Sequence, residues 1–283
     1  MNTGQLLDQA VALLTKAGVA EARANAEFIM ADTLKAGRTE LALHASRVPT
    51  DKQQKRFWGL VEHRAKRMPL AYILGTQPFM GLEIKVNEGA LIPRPETEEV
   101  VQEAVARLKE GGPRPLNILE LGTGTGCVAL ALAAALPQST VYATDISPAA
   151  LKLAADNAMT HHLAQRIRFV KEDLFKEDAR FKGWADLVIS NPPYIPTGEI
   201  DALEREVLKE PRLALDGGKD GLDAIRAIVA ASPRYLKPEG WLVLEIGWDQ
   251  AAAVLSLMEK AGLKGCHVRK DLQGKDRIAV ARR

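Results

Sequence analysis

The sequence predicts an α/β protein: a mostly parallel sheet covered by helices on both faces, preceded by a small helical bundle. Three observations predict it. From residue 116 onward, short aliphatic runs alternate with helical patterns. The first 75 residues carry apolar positions at helical spacing and no strand-like alternation. Between them, residues 76–92 switch to a period of two, punctuated by turn residues. The expected organisation is a helical domain over 1–75, a β-hairpin linker over 76–92 and an α/β domain over 93–283.

In order, Leu6, Leu7, Ala10, Val11, Leu13 and Leu14 mark a first helix that Gly18 ends. A second is expected over 20–34, with Ala24, Phe28 and Ala31 on one face, and a short third over 39–45. Thr50 or Asp51 caps a fourth that runs to about Met68, with Phe57, Leu60, Val61 and Ala65 inward. Phe79, Leu82, Ile84 and Val86 alternate around a turn at Gly81. Pro93 and Pro95 then interrupt the chain and open a helix that reaches Leu108. Strands are expected at 116–121, 140–144, 167–171, 186–190, 241–246, 267–271 and 277–281. Helices fall at 127–136, 147–161, 222–231 and 250–261, the second capped by Ser147 with Pro148 in its first turn. A loop over 175–183 precedes the fourth strand. The turn at 273–276 makes the last strand antiparallel. The irregular stretch 191–221 is long enough to serve function rather than connection.

Composition narrows the class. Of 283 residues 47% are hydrophobic and 26% charged, enough for a packed core and against disorder. Lys and Arg number 38 against 36 Asp and Glu, so no direct nucleic-acid binding is expected from charge. Cys127 and Cys266 cannot build a disulfide framework or a four-thiolate zinc site. Asp8 and Lys16 interrupt the N-terminal apolar residues, unlike a signal peptide, and the near-apolar run 127–136 is too short to span a bilayer. A cytoplasmic protein without membrane association is the expectation. His44, His63, His161, His162 and His267 are scattered without metal-ligand spacing, so no metal is expected. Cys127 reads as a packing residue, the charges over 52–67 as a solvated helix face, and the four tryptophans as core or surface anchors.

The chemistry gathers at strand ends. Glu120-Leu121-Gly122-Thr123-Gly124-Thr125-Gly126 follows the first sheet strand and opens a helix, and its glycines let backbone approach a ligand closely. Asp145, after the second strand, is placed to accept hydrogen bonds from both hydroxyls of a ribose. Asp173 and Leu174, after the third, suit an adenine amino group and ring face. These features fit an adenosine and do not separate NAD from S-adenosylmethionine. Asn191-Pro192-Pro193-Tyr194 follows the buried fourth strand. Its prolines remove backbone donors and leave rigid carbonyls that only accept. Asn191 Oδ1 and the Pro192 carbonyl can grip both N–H groups of a planar amide or aromatic amine, with Tyr194 alongside. Such a grip orients a poorly nucleophilic nitrogen toward a methyl group and stabilises the positive charge that develops on it.

Residues 120–126, Asp145 and Asn191-Pro192-Pro193-Tyr194 resemble the class I S-adenosylmethionine-dependent methyltransferases, whose sheet is Rossmann-like. Segments 69–75, 92–98, 217–222 and 244–247 extend the likeness along nearly the whole chain, which resembles the bacterial peptide chain release factor glutamine methyltransferases (the PrmC/HemK family). The resemblance implies transfer of a methyl group from S-adenosylmethionine to the side-chain amide nitrogen of the glutamine in the Gly-Gly-Gln loop of class 1 release factors. The products are N5-methylglutamine and S-adenosylhomocysteine. It implies cofactor contacts from Gly122, Thr123, Gly124, Thr125, Gly126, Asp145, Asp173, Leu174 and Asn191. Asn191, Pro192 and Tyr194 would do the chemistry, and Asn191, Pro192, Pro193, Tyr194, Arg94 and Glu96 would meet substrate, with Pro93 beside them. The helical domain would recognise the protein partner. Two other classes compete: a DNA adenine-N6 or rRNA base amino methyltransferase with the same Asn-Pro-Pro-Tyr geometry, and an adenosine-binding module or dehydrogenase. The near-neutral charge weighs against the former. The latter lacks a Gly-x-Gly-x-x-Gly spacing and an evident catalytic His or Lys.

Overall fold

The computed structural model describes residues 1–174 and 181–283, so most of the loop expected over 175–183 lies outside the described residues. Internal contacts divide the chain into two units, Met1–Thr76 with Glu204–Lys209, and Gln77–Leu203 with Glu210–Arg283. Two details differ from the sequence reading. The hairpin groups with the α/β unit from Gln77 onward, and Glu204–Lys209, read from sequence within the α/β domain, groups with the helical unit.

The helical unit consists of α1 (Thr3–Lys16), α2 (Ala22–Leu34), a 3-10 helix (Arg38–His44), α3 (Asp51–Ala65) and the short α4 (Leu70–Leu74). Capping boxes start α1 at Asn2 with Gln5 and α3 at Thr50 with Gln53, each satisfying backbone N–H groups that the first turn leaves open. Leu6, Leu14, Ile29, Met30, Phe57 and Val61 form the core. Phe28, expected on one face with Ala24 and Ala31, is exposed beneath the Arg38 guanidinium, because Ala26, Ile29 and Met30 supply the buried face of α2. Glu206 is the unit's main ionic anchor. It accepts from Arg64 Nη2 at 2.8 Å and from Arg67 Nε and Nη2 at 2.7 and 2.6 Å. Arg64 is itself buried and further held by Asn25 Oδ1 at 2.7 Å and the Met68 carbonyl at 3.1 Å.

The α/β unit opens with the hairpin β1 (Thr76–Phe79) and β2 (Leu82–Lys85). Met80 and Gly81 both have positive φ, 48° and 77°, as the two central residues of a type I′ turn require. Next come α5 (Pro95–Lys109), β3 (Leu116–Leu121), α6 (Cys127–Ala135), β4 (Ser139–Asp145), α7 (Pro148–Thr160), β5 (Ile167–Lys171) and β6 (Ala185–Ser190). The chain ends with α8 (Asp223–Tyr235), β7 (Leu236–Glu245), α9 (Ala251–Lys260), β8 (Lys264–Lys270) and β9 (Asp276–Arg282). The seven-stranded sheet runs β5-β4-β3-β6-β7-β9-β8, parallel through β7, with β9 antiparallel to both its neighbours. β7 begins earlier than its apolar run, at Leu236. A register shift between Ala185 and Leu187 absorbs the Pro238–Gly240 stretch.

Both faces of the sheet are covered. Leu119, Leu121, Val188, Leu242 and Leu244 pack with Ile225, Ile228, Val254 and Met258 of α8 and α9. The alternate residues Ile118, Leu187, Ile189 and Val243 are buried on the opposite face. No helix among the described residues is long and apolar enough to cross a membrane.

Candidate active site

The strand order reverses between β4 and β6, which flank β3 on its two sides. Open α/β sheets bind ligands at such a switch point, beyond the strands' carboxyl ends. Register brings the sequence-predicted segments together there. Leu121 pairs with Thr144 on one side and Ser190 on the other, so Gly122, Asp145 and Asn191 emerge side by side. Asp145 in turn pairs with Lys171, which brings Asp173 and Leu174 to the same edge.

A cavity of about 220 Å³ opens at this edge. Of the residues singled out in the sequence, Gly122, Thr123, Gly124, Thr125, Asp145, Asp173, Leu174, Asn191, Pro193, Pro93 and Arg94 line it. Four predicted residues do not. Gly126 sits at the N-cap of α6 at φ 81°, where a Cβ would meet Ala154 Cβ at 3.0 Å, so its lack of a side chain serves helix packing. Tyr194 is half-buried, its hydroxyl 3.3 Å from Glu245 Oε1, and Pro192 is buried. Glu96 is also absent from the lining and accepts from Gln273 Nε2 at 3.4 Å, because its place in the first turn of α5 turns it toward the β8–β9 loop.

The cavity's lining is preorganised by backbone. Gly122 and Gly124 adopt φ of 70° and 55°, and a Cβ on either would stand in open space. Asp145 Oδ2 accepts from Gly124 N and Oδ1 from Ser147 N, each at 2.8 Å, which fixes the carboxylate while leaving further lone pairs. Ser147 caps α7 as expected, accepting from Ala150 N. Asn157, buried in α7, ties the loop to the hairpin. Its Nδ2 donates to the Thr125 carbonyl at 2.9 Å and the Lys85 carbonyl at 3.0 Å, and its Oδ1 accepts from Lys85 N at 2.8 Å. The buried Thr125 Oγ1 has no hydrogen-bond partner among the described residues, an open polar position in the cavity wall.

Sequence reasoning missed four residues here. Glu120 lines the cavity, accepts from Thr123 Oγ1 at 2.8 Å, and is pushed up to about 8 by burial, with the Asp145 charge adding. Glu210 is buried. It accepts from Ile92 N at 2.9 Å and pairs with Arg94, pinning the segment before α5 at the cavity. Thr97 and Glu245, both buried, stand behind Asn191. Glu120 carried a signal as the first residue of the glycine-rich segment, and Thr97 and Glu245 lay in segments 92–98 and 244–247 without an assigned role. The partners of the others are between 94 and 148 residues distant in sequence. The Cys127 thiol is pushed up to about 12 by burial, which suits packing rather than nucleophilic chemistry.

An adenosine-bearing sulfonium fits these residues: unfilled space over Gly122 and Gly124, the unpaired Thr125 hydroxyl, and carboxyl groups at Glu120, Asp145 and Asp173.

Comparison with known proteins agrees across both units. Residues 5–75 match the family model described as the PrmC N-terminal domain, and residues 104–218 match the methyltransferase small domain. The chain is 42% identical to a release factor glutamine methyltransferase of Geobacter sulfurreducens, over 98% of this chain and 95% of that protein. It is 40% identical to one of Moorella thermoacetica, over 100% and 99%. A methyltransferase crystal structure from Pyrococcus furiosus shares the fold, with a TM-score of 0.52 at 19% identity, covering 71% of this chain and 88% of that one. Similar from end to end to such relatives, the chain belongs to the release factor glutamine methyltransferase family.

Proposed function

We propose that this chain methylates the side-chain amide nitrogen of the glutamine in the Gly-Gly-Gln motif of class 1 peptide chain release factors, with S-adenosylmethionine as donor. The observation that carries the reading is the pairing of Leu121 with Ser190, which sets Asn191 beside the glycine-rich loop. An amide gripped by Asn191 then faces whatever the loop holds.

In this reading Gly122, Thr123, Gly124 and Thr125 hold the donor's methionine part, Asp145 its ribose, and Asp173 and Leu174 its adenine. The donor supplies an electrophilic methyl group and leaves as S-adenosylhomocysteine. The chain's own part is positioning. An amide nitrogen is a poor nucleophile because its lone pair is delocalised into the carbonyl. Asn191 Oδ1 and the Pro192 carbonyl accept from its two N–H groups, fix its plane, and favour the positive charge that grows on nitrogen as the bond forms. That charge leaves with a proton after transfer, so no base need act beforehand. Tyr194 backs the notch from the Glu245 side. Arg94, held by Glu210, and Pro93 close the edge near the start of α5. The helical unit recognises the folded release factor.

The test is mass spectrometry of purified release factors incubated with the chain and S-adenosylmethionine. The expected result is the mass of one added methyl group on the Gly-Gly-Gln peptide, placed on the glutamine side chain. An unchanged peptide, or methylated adenine in parallel DNA and RNA controls, overturns the assignment.

A further inference from the structure

Register on the far side of β6 brings a second group of side chains to Asn191. Ser190 pairs with Leu244, so Glu245 follows alongside Asn191. Thr97, in the first turn of α5, reaches between them. Thr97 Oγ1 lies 2.6 Å from Glu245 Oε2 and 3.1 Å from Asn191 Nδ2. Tyr194 Oη lies 3.3 Å from Glu245 Oε1. Thr97 is 3% exposed and Glu245 1%, so water does not compete for these bonds.

We propose that Thr97 and Glu245 are positioning residues that fix which way the Asn191 amide points. A threonine hydroxyl has one proton. Given to the Glu245 carboxylate, it leaves Thr97 Oγ1 able only to accept on its other side. The group facing it must then be the Asn191 –NH2. Asn191 Oδ1 is thereby turned away from Thr97 and left free for an outside donor. Without Thr97, nothing on this side separates the two orientations of the amide, and the flipped one presents donors to an incoming amide nitrogen that itself carries only donors. Ionised, as it is above its burial-raised value of about 7, Glu245 sets the polarity of the whole chain, since a carboxylate only accepts, from Thr97 and Tyr194 alike. This rests on the reading of Asn191 as the grip on the substrate amide.

The test uses the full chain with Thr97→Val and Thr97→Ser, and Asn191→Ala as reference. Methyl transfer to a release factor is measured as kcat and KM, donor affinity by calorimetry, and folding by thermal melt. Thr97→Val lowers kcat about 10- to 100-fold with donor affinity and melting unchanged, as expected when a reacting group is misplaced rather than lost. Thr97→Ser, which keeps the hydroxyl, recovers most of the rate. Wild-type kcat in Thr97→Val overturns the proposal, as does equal loss in both variants, which would mark a packing role for the methyl group. The Asn191 side-chain NH2 resonances, followed by NMR in the wild type and Thr97→Val, judge the orientation without turnover. Slow exchange and a shifted position that vanish in Thr97→Val support it, and identical resonances overturn it. Failure of the wild type to methylate any release factor would fall on the functional reading alone.

Discussion

Replacing Asn157 with alanine removes the side chain that joins the hairpin, the glycine-rich loop and α7. Three hydrogen bonds disappear, to Lys85 N, the Lys85 carbonyl and the Thr125 carbonyl. A typical bond contributes about 1 kcal/mol net, and a buried group left without a partner costs about 1–3 kcal/mol. Lys85 is exposed, so its backbone groups recover water. Thr125 is buried, so its carbonyl does not. The sum is about 3 kcal/mol, a large part of the roughly 5–15 kcal/mol that holds a folded domain. Urea unfolding should show that loss as a lower midpoint at an unchanged slope. Because the freed carbonyl belongs to the loop that lines the cavity, calorimetry should also show weaker S-adenosylmethionine binding. Asn157→Asp should do no better, since it keeps the acceptor for Lys85 N but turns a carboxylate toward two carbonyls. A loss below about 1 kcal/mol together with unchanged affinity would refute the reasoning.

Asn191→Ala should lower kcat about 100-fold and leave donor affinity intact, and equal turnover in the two proteins would reject its role. Asp145→Ala should weaken S-adenosylmethionine binding about tenfold or more, equivalent to about 1.4 kcal/mol, which unchanged calorimetric affinity would contradict. Glu206→Gln leaves the buried Arg64 without its counter-ion and should destabilise the chain by about 2–3 kcal/mol, less than a fully buried pair because Glu206 retains some exposure; an unshifted urea midpoint would count against the anchor. Burial raises Glu120 to about 8 and Glu245 to about 7, so between pH 4.5 and these values the folded chain holds more protons than the unfolded one. Stability should therefore fall, by on the order of a few kcal/mol, as pH rises from about 5 to about 8. The lowered carboxyls of Glu27, Asp32 and Asp186 act the opposite way only in more acid solution. A flat urea midpoint across that range, or one equally steep in Glu120→Gln, would sink the assignment.

The pattern of elements was legible because it is written locally. β5 matches its expected bounds, and Ser147 and Thr50 cap the helices they precede. Where local signals conflicted with pairing, pairing won. The strand read as 241–246 starts earlier, at Leu236, because the register shift against β6 takes up Pro238–Gly240. Phe28 read as sharing a face with Ala31, yet Ala31 is buried with Ile29 and Met30 while Phe28 is exposed. In the site, the glycine loop, Asp145 and Asn191 were legible because each closes a strand, and strand ends share an edge. The roles of Thr97, Glu210 and Glu245 were not, because a buried polar side chain acquires meaning from its partner, and their partners arrive from other elements.

The placement of Glu204–Lys209 bears on where this protein can be cut. The polypeptide passes between the two units three times, at Thr76, Leu203 and Lys209, so no single scissile point separates them. A fragment starting at Gln77 would carry Glu206 stripped of both arginines, on the same excursion that delivers Glu210 to Arg94. No one break in the chain therefore yields the α/β unit intact and alone.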